Sequence, residues 1–383
     1  MNVRHIIQRS LLMIVVAALF TGCDMMKEDR DDCPTGLYVN FVYDYNIQRA
    51  DMFKDHVGAV TLYVFDESDK LVAQRTVSGG ELSVYGYNIH FTEQELAPGH
   101  QYRLTAIGMQ KDWETALTTP GAKYHKSTLS AGDDRQKLEV SLERTPTTYN
   151  PNLYEVPMGN SPLDTLWHTQ QVMAAYSATQ PTATRYHENA NSEPTTNAVE
   201  TITLTSGVPA YATVSLIRDT KHLNIILGET GEEGHVNADD YEVFILDTNG
   251  DVDYQNTVIT PSDSLVYYPY QKWNTEVDAG GEVGVESTAH YDLMFNRLMY
   301  SAKSSENAQL CIRRKSDGVY VVKVDLPYIL CLGRIYFEYN YRQQEYLDRE
   351  HDYRLQFYLT GDRWSSVLIH VLGWSRRIQY EEF

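Results

Sequence analysis

The residues best suited to covalent chemistry are four cysteines: Cys23, Cys33, Cys311 and Cys331. Cys23 follows Thr21-Gly22 and an apolar run from Leu11 to Phe20, itself preceded by Arg4 and Arg9. A positive start, an apolar stretch too short to span a bilayer and small residues at its end are the marks of a secretory signal. Residues 1–22 are therefore read as a cleaved signal peptide, with Cys23 opening the mature chain. Export leads to an oxidising compartment, where the other three cysteines allow one disulfide and one free thiol. Cys311 and Cys331 lie in one region, on or beside neighbouring candidate strands, and are the candidate pair. Cys33 sits beside Pro34, in the tether that follows Cys23. No CxxC or Cys/His spacing points to zinc.

Two acidic clusters invite a chemical reading. Asp247, Asn249, Asp251 and Asp253 place oxygens at alternate positions, as a calcium loop would. The glycine is misplaced for an EF-hand and its twelfth position is Val258, so a hairpin turn is the stronger reading. Glu345, Asp348 and Glu350 supply carboxylates, and glycoside hydrolysis needs two of them facing across a cleft. A charged turn would supply the same residues. The expectation here is structural: Tyr346 and Leu347 pack inward, while Glu345, Asp348, Arg349 and Glu350 cap a turn or short helix. The 12 histidines are scattered without metal-ligand spacing. GxSxG, HExxH, Walker A and GxGxxG are absent. The expectation is a chain with no catalytic residues, no metal and no cofactor.

Phe20-Thr21-Gly22-Cys23 resembles the lipobox of bacterial lipoproteins. That resemblance implies thioether lipidation of Cys23, and several acyl chains hold a protein on a membrane where one does not. Lys27-Glu28-Asp29 resembles the acidic signal that routes Bacteroidota lipoproteins to the outer face of the outer membrane. The plainer reading of the same charges is a solvated tether over residues 23–33.

The elements that must carry these residues are strands. The chain has 383 residues, 42% of them hydrophobic and 22% charged, enough for a real core and for two domains. A net charge of -20 repels phosphate backbones and excludes nucleic acid as a partner class. The 29 tyrosines favour strands and contact surfaces. Apolar residues alternate with period two over 37–45, 59–66, 136–143, 200–206 and 222–228. Turn signals at Asp66–Asp69, Asn249-Gly250 and Ser316-Asp317-Gly318 mark hairpins. Residues 328–350 read as partly helical. No βαβ alternation appears, which counts against Rossmann and TIM-barrel folds. Between about 145 and 200 the alternation gives way to Thr, Asn, Pro, Ala and Ser. The division expected is an N-terminal β-sandwich over 34–170, a linker over 171–194 and a C-terminal β-sandwich over 195–383.

Several segments together resemble the FimB-type fimbrial anchor family of Bacteroidota lipoproteins. They are Asp31-Asp32-Cys33-Pro34-Thr35-Gly36-Leu37, Val60–Asp66, Leu96–Tyr102, Gln344–Glu350 and Gly373-Trp374, in the family's order. Val371-Leu372-Gly373 departs from the pattern, with Leu where Asn is expected. The resemblance implies an all-β chain of two tandem transthyretin-like β-sandwich domains with a long irregular connection. It implies a non-enzymatic role, holding the base of a fimbrium on the outer membrane and contributing to adhesion. The implied partners are fimbrial stalk subunits, joined by strand complementation. Ser375–Phe383 is too short for a long donor extension and is expected to form a last edge strand. The alternative is a surface glycan-binding β-sandwich lipoprotein. An open row of aromatics on a sheet face would favour the glycan reading, and an exposed sheet edge the anchor.

Overall fold

The computed structural model describes residues 35–83, 88–174, 198–229, 235–260, 262–276, 287–336, 340–361, 363–371 and 374–379. The chain is mostly β, and its described strands form four sheets.

The first sheet runs β3 (Leu71–Ser78), β2 (Ala59–Phe65), β5 (Gln101–Met109), β10 (Leu166–Ala174), β12 (Pro209–Arg218), β1 (Gly36–Val42) and β4 (Ile89–Phe91). β11 (Ile202–Thr203) adds to the free part of β5. β1 and β12 pair in parallel and the other neighbours antiparallel. Leu37, Val39 and Phe41 of β1 share one apolar interior with Val60, Leu62 and Val64 of β2 and Val214 and Leu216 of β12. The ends of the strand order thus meet around a common core, and the sheet is a near-barrel. Tyr63 and Phe65 of β2 point the other way, into a second core. Burial on both faces explains the unbroken apolar run of β2, Ala59-Val60-Thr61-Leu62-Tyr63-Val64-Phe65.

Two six-stranded sheets build that second core. One runs β17 (Gln271–Glu276), β18 (Ser287–Phe295), β13 (Lys221–Glu229), β21 (Asp352–Thr360), β22 (Arg363–Val371) and β23 (Trp374–Gln379). The other runs β20 (Tyr320–Asp325), β19 (Gln309–Arg314), β14 (Tyr241–Asp247), β16 (Ser264–Tyr267), β9 (Leu153–Glu155) and β8 (Thr145–Pro146). Leu223, Ile225, Leu355 and Phe357 of the first meet Val243, Ile245, Leu310 and Ile312 of the second. A small sheet of β15 (Asp251–Asp253), β7 (Glu139–Leu142) and β6 (Tyr124–Lys126) adds Val252, Val140, Leu142 and Tyr124 to the same cluster.

Strand pairing does not follow the division expected from sequence. β12 lies in the stretch assigned to the second sandwich, yet it sits between β10 and β1 in the first sheet. β7 and β9 lie in the stretch assigned to the first, yet they pair with β15 and β16. The two halves exchange strands instead of packing separately. Periodicity identifies a strand but not its neighbour, which is why the composition change near 145–200 misplaces the border. Of the expected linker, residues 171–174 belong to β10, and 175–194 lie outside the described residues.

The hairpins at Asp66–Asp69 and Ser316–Gly318 form as read, closing β2 on β3 and β19 on β20. The one at Asn249-Gly250 does not. β14 pairs with β16 and β19, while β15 pairs with β7. The region 328–350 holds helices α1 (Leu326–Cys331) and α2 (Gln343–Arg349). Among the described residues β23 pairs with β22 alone, as the expected edge strand, and residues 380–383 lie outside the described part.

Candidate functional site

The chain passes from the near-barrel to the second core at Asp219-Thr220-Lys221, and all three residues are fully buried. Buried polar groups demand partners, and here they draw distant segments together. Asp219 Oδ2 lies 2.5 Å from His168 Nδ1, and its Oδ1 accepts from Asn256 Nδ2 at 2.6 Å. Thr220 Oγ1 accepts from the Leu166 amide at 3.0 Å and lies 3.1 Å from Tyr124 Oη. Lys221 Nζ donates to the carbonyls of Asp348 and Glu350, each at 2.9 Å. Burial lowers the Lys221 pKa to about 8, opposed by the charge of Asp348.

Those two carbonyls belong to the end of α2, whose residues pack as a latch. Gln343-Gln344-Glu345 are good helix formers, and Tyr346 and Leu347 turn into the core as the sequence reading expects. Asp348, Arg349 and Glu350 depart from it: they are buried rather than capping an exposed turn. Asp348 makes a two-pronged pair with Arg297, at 2.7 and 2.8 Å, and accepts from Gln344 Nε2 at 3.0 Å. Arg349 pairs with Glu345 at 2.9 Å and lies over the Tyr45 ring at 4.0 Å. Its carbonyl accepts from the Ile47 amide at 3.1 Å, tying α2 to the loop after β1. Glu350 Oε1 accepts from the amides of His351 and Asp352. Burial nonetheless raises the pKa of Glu350. Each carboxylate of the Gln344–Glu350 run is thus engaged in holding the chain.

The 247–253 acids are likewise divided among structural tasks. Asn249 donates to the carbonyls of Asn296 and Arg297 and accepts from Tyr267 Oη at 2.6 Å. Asp251 forms a two-pronged pair with Arg144, and Asp253 accepts from the amides of Gln255 and Thr257. Asn249 is consumed in pinning the loop, which explains why no hairpin forms there. Among the described residues no group of three His, Cys, Asp or Glu is placed to hold a metal ion.

The candidate disulfide is also corrected. Cys311 and Cys331 are buried free thiols. Cys311 packs with Phe244 and Val266 on the outer side of its sheet, while Cys331, at the end of α1, belongs to the second core. Opposite sides of one sheet keep them apart, and burial raises the pKa of both, to about 11 and about 12. Cys23 and Lys27-Glu28-Asp29 lie outside the described residues.

Two surface features fit the two functional expectations. β17 is a terminal strand whose six residues are all exposed, and β18 is its one partner among the described strands. On the outer face of the β14 sheet, Tyr149, Tyr268, Phe244 and Tyr320 form a row. Tyr149 and Tyr268 meet through their hydroxyls at 3.1 Å, and the Phe244 ring centroid lies 6.0 Å from Tyr268 and 6.4 Å from Tyr320. Tyr149 is 66% and Tyr320 47% exposed.

The family profile of fimbrillin-A associated anchor proteins, Mfa1 and Mfa2, matches residues 30–380. The chain belongs to this family. Its function is therefore that of a fimbrial anchor protein with a role in adhesion, at the cell surface and the fimbrium base, and it is not an enzyme. Solved structures share the fold. A candidate adhesin of Bacteroides thetaiotaomicron is 24% identical, with a TM-score of 0.65 over 91% of this chain and 99% of that one. A candidate polysaccharide-binding protein from the same organism is 23% identical, with a TM-score of 0.65 over 90% and 99%. The fimbrial anchor protein Mfa2 of Porphyromonas gingivalis is 16% identical, with a TM-score of 0.55 over 90% and 99%. No curated protein matches the chain. The anchor's Gln344–Glu350 segment is visible in its sequence, but the partners Lys221, Arg297, Asp219 and His168 are not. The one local signal is the polar run Arg218-Asp219-Thr220-Lys221 between two apolar strands.

Proposed function

We propose that this anchor is acylated at Cys23 and routed to the outer face of the outer membrane through Lys27-Glu28-Asp29. It joins the first stalk subunit by strand complementation, with β17 as the accepting edge. The near-barrel and the two-sheet core are read as two transthyretin-like sandwiches that have exchanged strands. The observation that carries the docking proposal is that β17 pairs on one side alone among the described residues, which offers the main-chain donors and acceptors of its other side to an added strand. Lys272 and Glu276 on this edge discourage self-pairing and leave room for a partner of matching charge. The lipid proposal rests on the apolar run and small residues before Cys23. The test is photo-crosslinking from probes placed at residues 272, 274 and 276, with 375 and 377 on β23 as comparison. A crosslink to the stalk subunit from the β17 positions supports the reading. Crosslinks confined to β23 would move the joint to the opposite edge.

A second reading is favoured by the Tyr149–Tyr268–Phe244–Tyr320 row. Tyrosine rings offer flat faces for sugar rings and hydroxyls for their hydrogen bonds. The Arg313–Glu242 ion pair on the same face adds donors and an acceptor. Binding of soluble oligosaccharides that is lost in Tyr268→Ala would establish a glycan-binding role beside the anchoring one.

A further inference from the structure

Where the near-barrel meets the second core, a cleft of about 390 Å³ opens between them. Its first half contributes His56, Gln110, Trp167 and Arg218, and its second half His222, His351 and Asp352. The hydrogen-bonding groups here are unbalanced. Arg218 donates through Nε to the Thr220 carbonyl at 3.0 Å; among the described residues its terminal nitrogens form no hydrogen bond, and its guanidinium carbon sits 5.9 Å from the Trp167 ring centroid. Trp167 is 1% exposed and its Nε1 has no hydrogen-bond partner. Gln110 accepts from Thr165 through Oε1, which leaves its amide nitrogen available to donate. The one carboxylate of the cleft, Asp352, is already held by His222 at 2.7 Å. Trp167 Nε1 is closed off from solvent, so the donors that line the open space are the half-buried Arg218 guanidinium and the exposed Gln110 amide. A cation partly withdrawn from water gains from a counter-charge.

At His351 the neighbouring cations outweigh the one acid, although the chain carries a net charge of -20. Burial, followed by the charges of Arg218 and Lys221, drives the pKa of His351 down to about 3. His56 is shifted down by burial and by Arg218. Arg218 itself is shifted down by burial. An anion in the cleft would oppose each of these shifts.

We infer that this cleft binds the carboxylate of a small organic acid, gripped by the Arg218 guanidinium with the Gln110 amide nitrogen as a second donor. The fork of one arginine matches a carboxylate. Asp352 nearby disfavours a second negative charge, so a monoanion suits the site better than sulfate or a phosphate dianion. The space exceeds a carboxylate alone, and Pro162, Leu163 and Met294 offer apolar wall for an attached body. The proposal goes beyond the anchoring role and does not depend on how the stalk is joined.

The experiment is calorimetric titration of the purified protein with N-acetyl-L-leucinate, its neutral amide, D-glucuronate and sulfate. One-to-one binding of an acid, with the amide at least about tenfold weaker, is expected. The acid that binds more tightly identifies the attached body as peptide-like or sugar-like. Arg218→Gln should weaken binding by about tenfold or more. Asp352→Asn removes the repelling charge at an exposed position and should tighten it by about twofold or more. Binding of neither acid, equal binding of acid and amide, or tighter binding of sulfate would overturn the inference. If Arg218→Gln fails to fold, Asp352→Asn still decides: weaker binding in that variant rejects the site.

Discussion

Asp348→Asn tests whether α2 is a latch or an ordinary surface helix. In the native chain the Asp348 carboxylate faces the Arg297 guanidinium with side-chain exposures of 8% and 13%. Besides Asp348, Arg297 has the Asn256 carbonyl as a partner. Neutralising Asp348 leaves a buried cation without its counter-charge, which costs about 3–5 kcal/mol in comparable sites. Asn keeps one oxygen that still accepts from Arg297 or Gln344, so the lower end, about 3 kcal/mol, is expected. Against a total stability of about 5–15 kcal/mol that is a large fraction. Glu345→Gln provides the contrast. The Glu345–Arg349 pair is one third exposed at the acid, and its loss should cost about 1 kcal/mol or less. The double change Arg297→Met/Asp348→Leu removes both charges and should cost less than Asp348→Asn alone. Equilibrium unfolding in urea, followed by tryptophan fluorescence, measures all three. The reasoning fails if Asp348→Asn costs under about 1 kcal/mol, or if the double change costs more than Asp348→Asn alone.

Three further outcomes are expected. Cys23→Ala should abolish labelling by a fatty-acid probe and release or retain the precursor; continued labelling would refute the assignment of the lipid site. Burial raises the Asp247 carboxyl to about 7, and its Oδ2 has no partner. A carboxyl raised in the fold destabilises it progressively as pH rises from about 4 to about 7. Asp247→Asn should therefore be more stable than the parent at pH 7.5, by at least about 1.4 kcal/mol, the worth of one pKa unit, with the gain vanishing below about pH 4. A gain independent of pH would contradict that cause. Cys311 and Cys331, being buried free thiols, should react with a thiol reagent only after unfolding, both in the absence of any reductant; a requirement for reductant would show a bridge.

What the sequence by itself determined about this protein is local or covalent in origin. Period-two alternation defined β1, β7 and β13, because a half-buried strand must alternate. The apolar run before Cys23 and the ordered segments from Asp31 to Trp374 pointed to the anchor family, since motif order survives without any knowledge of packing. Gly318 with its φ of 74° closed a hairpin that Ser316-Asp317-Gly318 announced.

Only the tertiary structure decided which strands are neighbours. Pairing depends on hydrogen bonds between segments far apart in the chain, and nothing in the residues of β12 says that it runs beside β1. The same holds for the latch. Asp348 reads as a surface acid until Arg297 and Lys221, 51 and 127 residues away, close around it. The Asn249-Gly250 turn carries a hairpin signal that its surroundings override, because the Asn296 carbonyl and Tyr267 hydroxyl engage the Asn249 side chain and β7 captures the strand that follows. Cys311 and Cys331 are near in sequence but lie on opposite sides of a sheet, since neighbouring positions on a strand alternate between faces and a separate helix carries the second thiol. Long-range partners decide burial, and burial decides whether a charge is a surface ornament or a structural requirement.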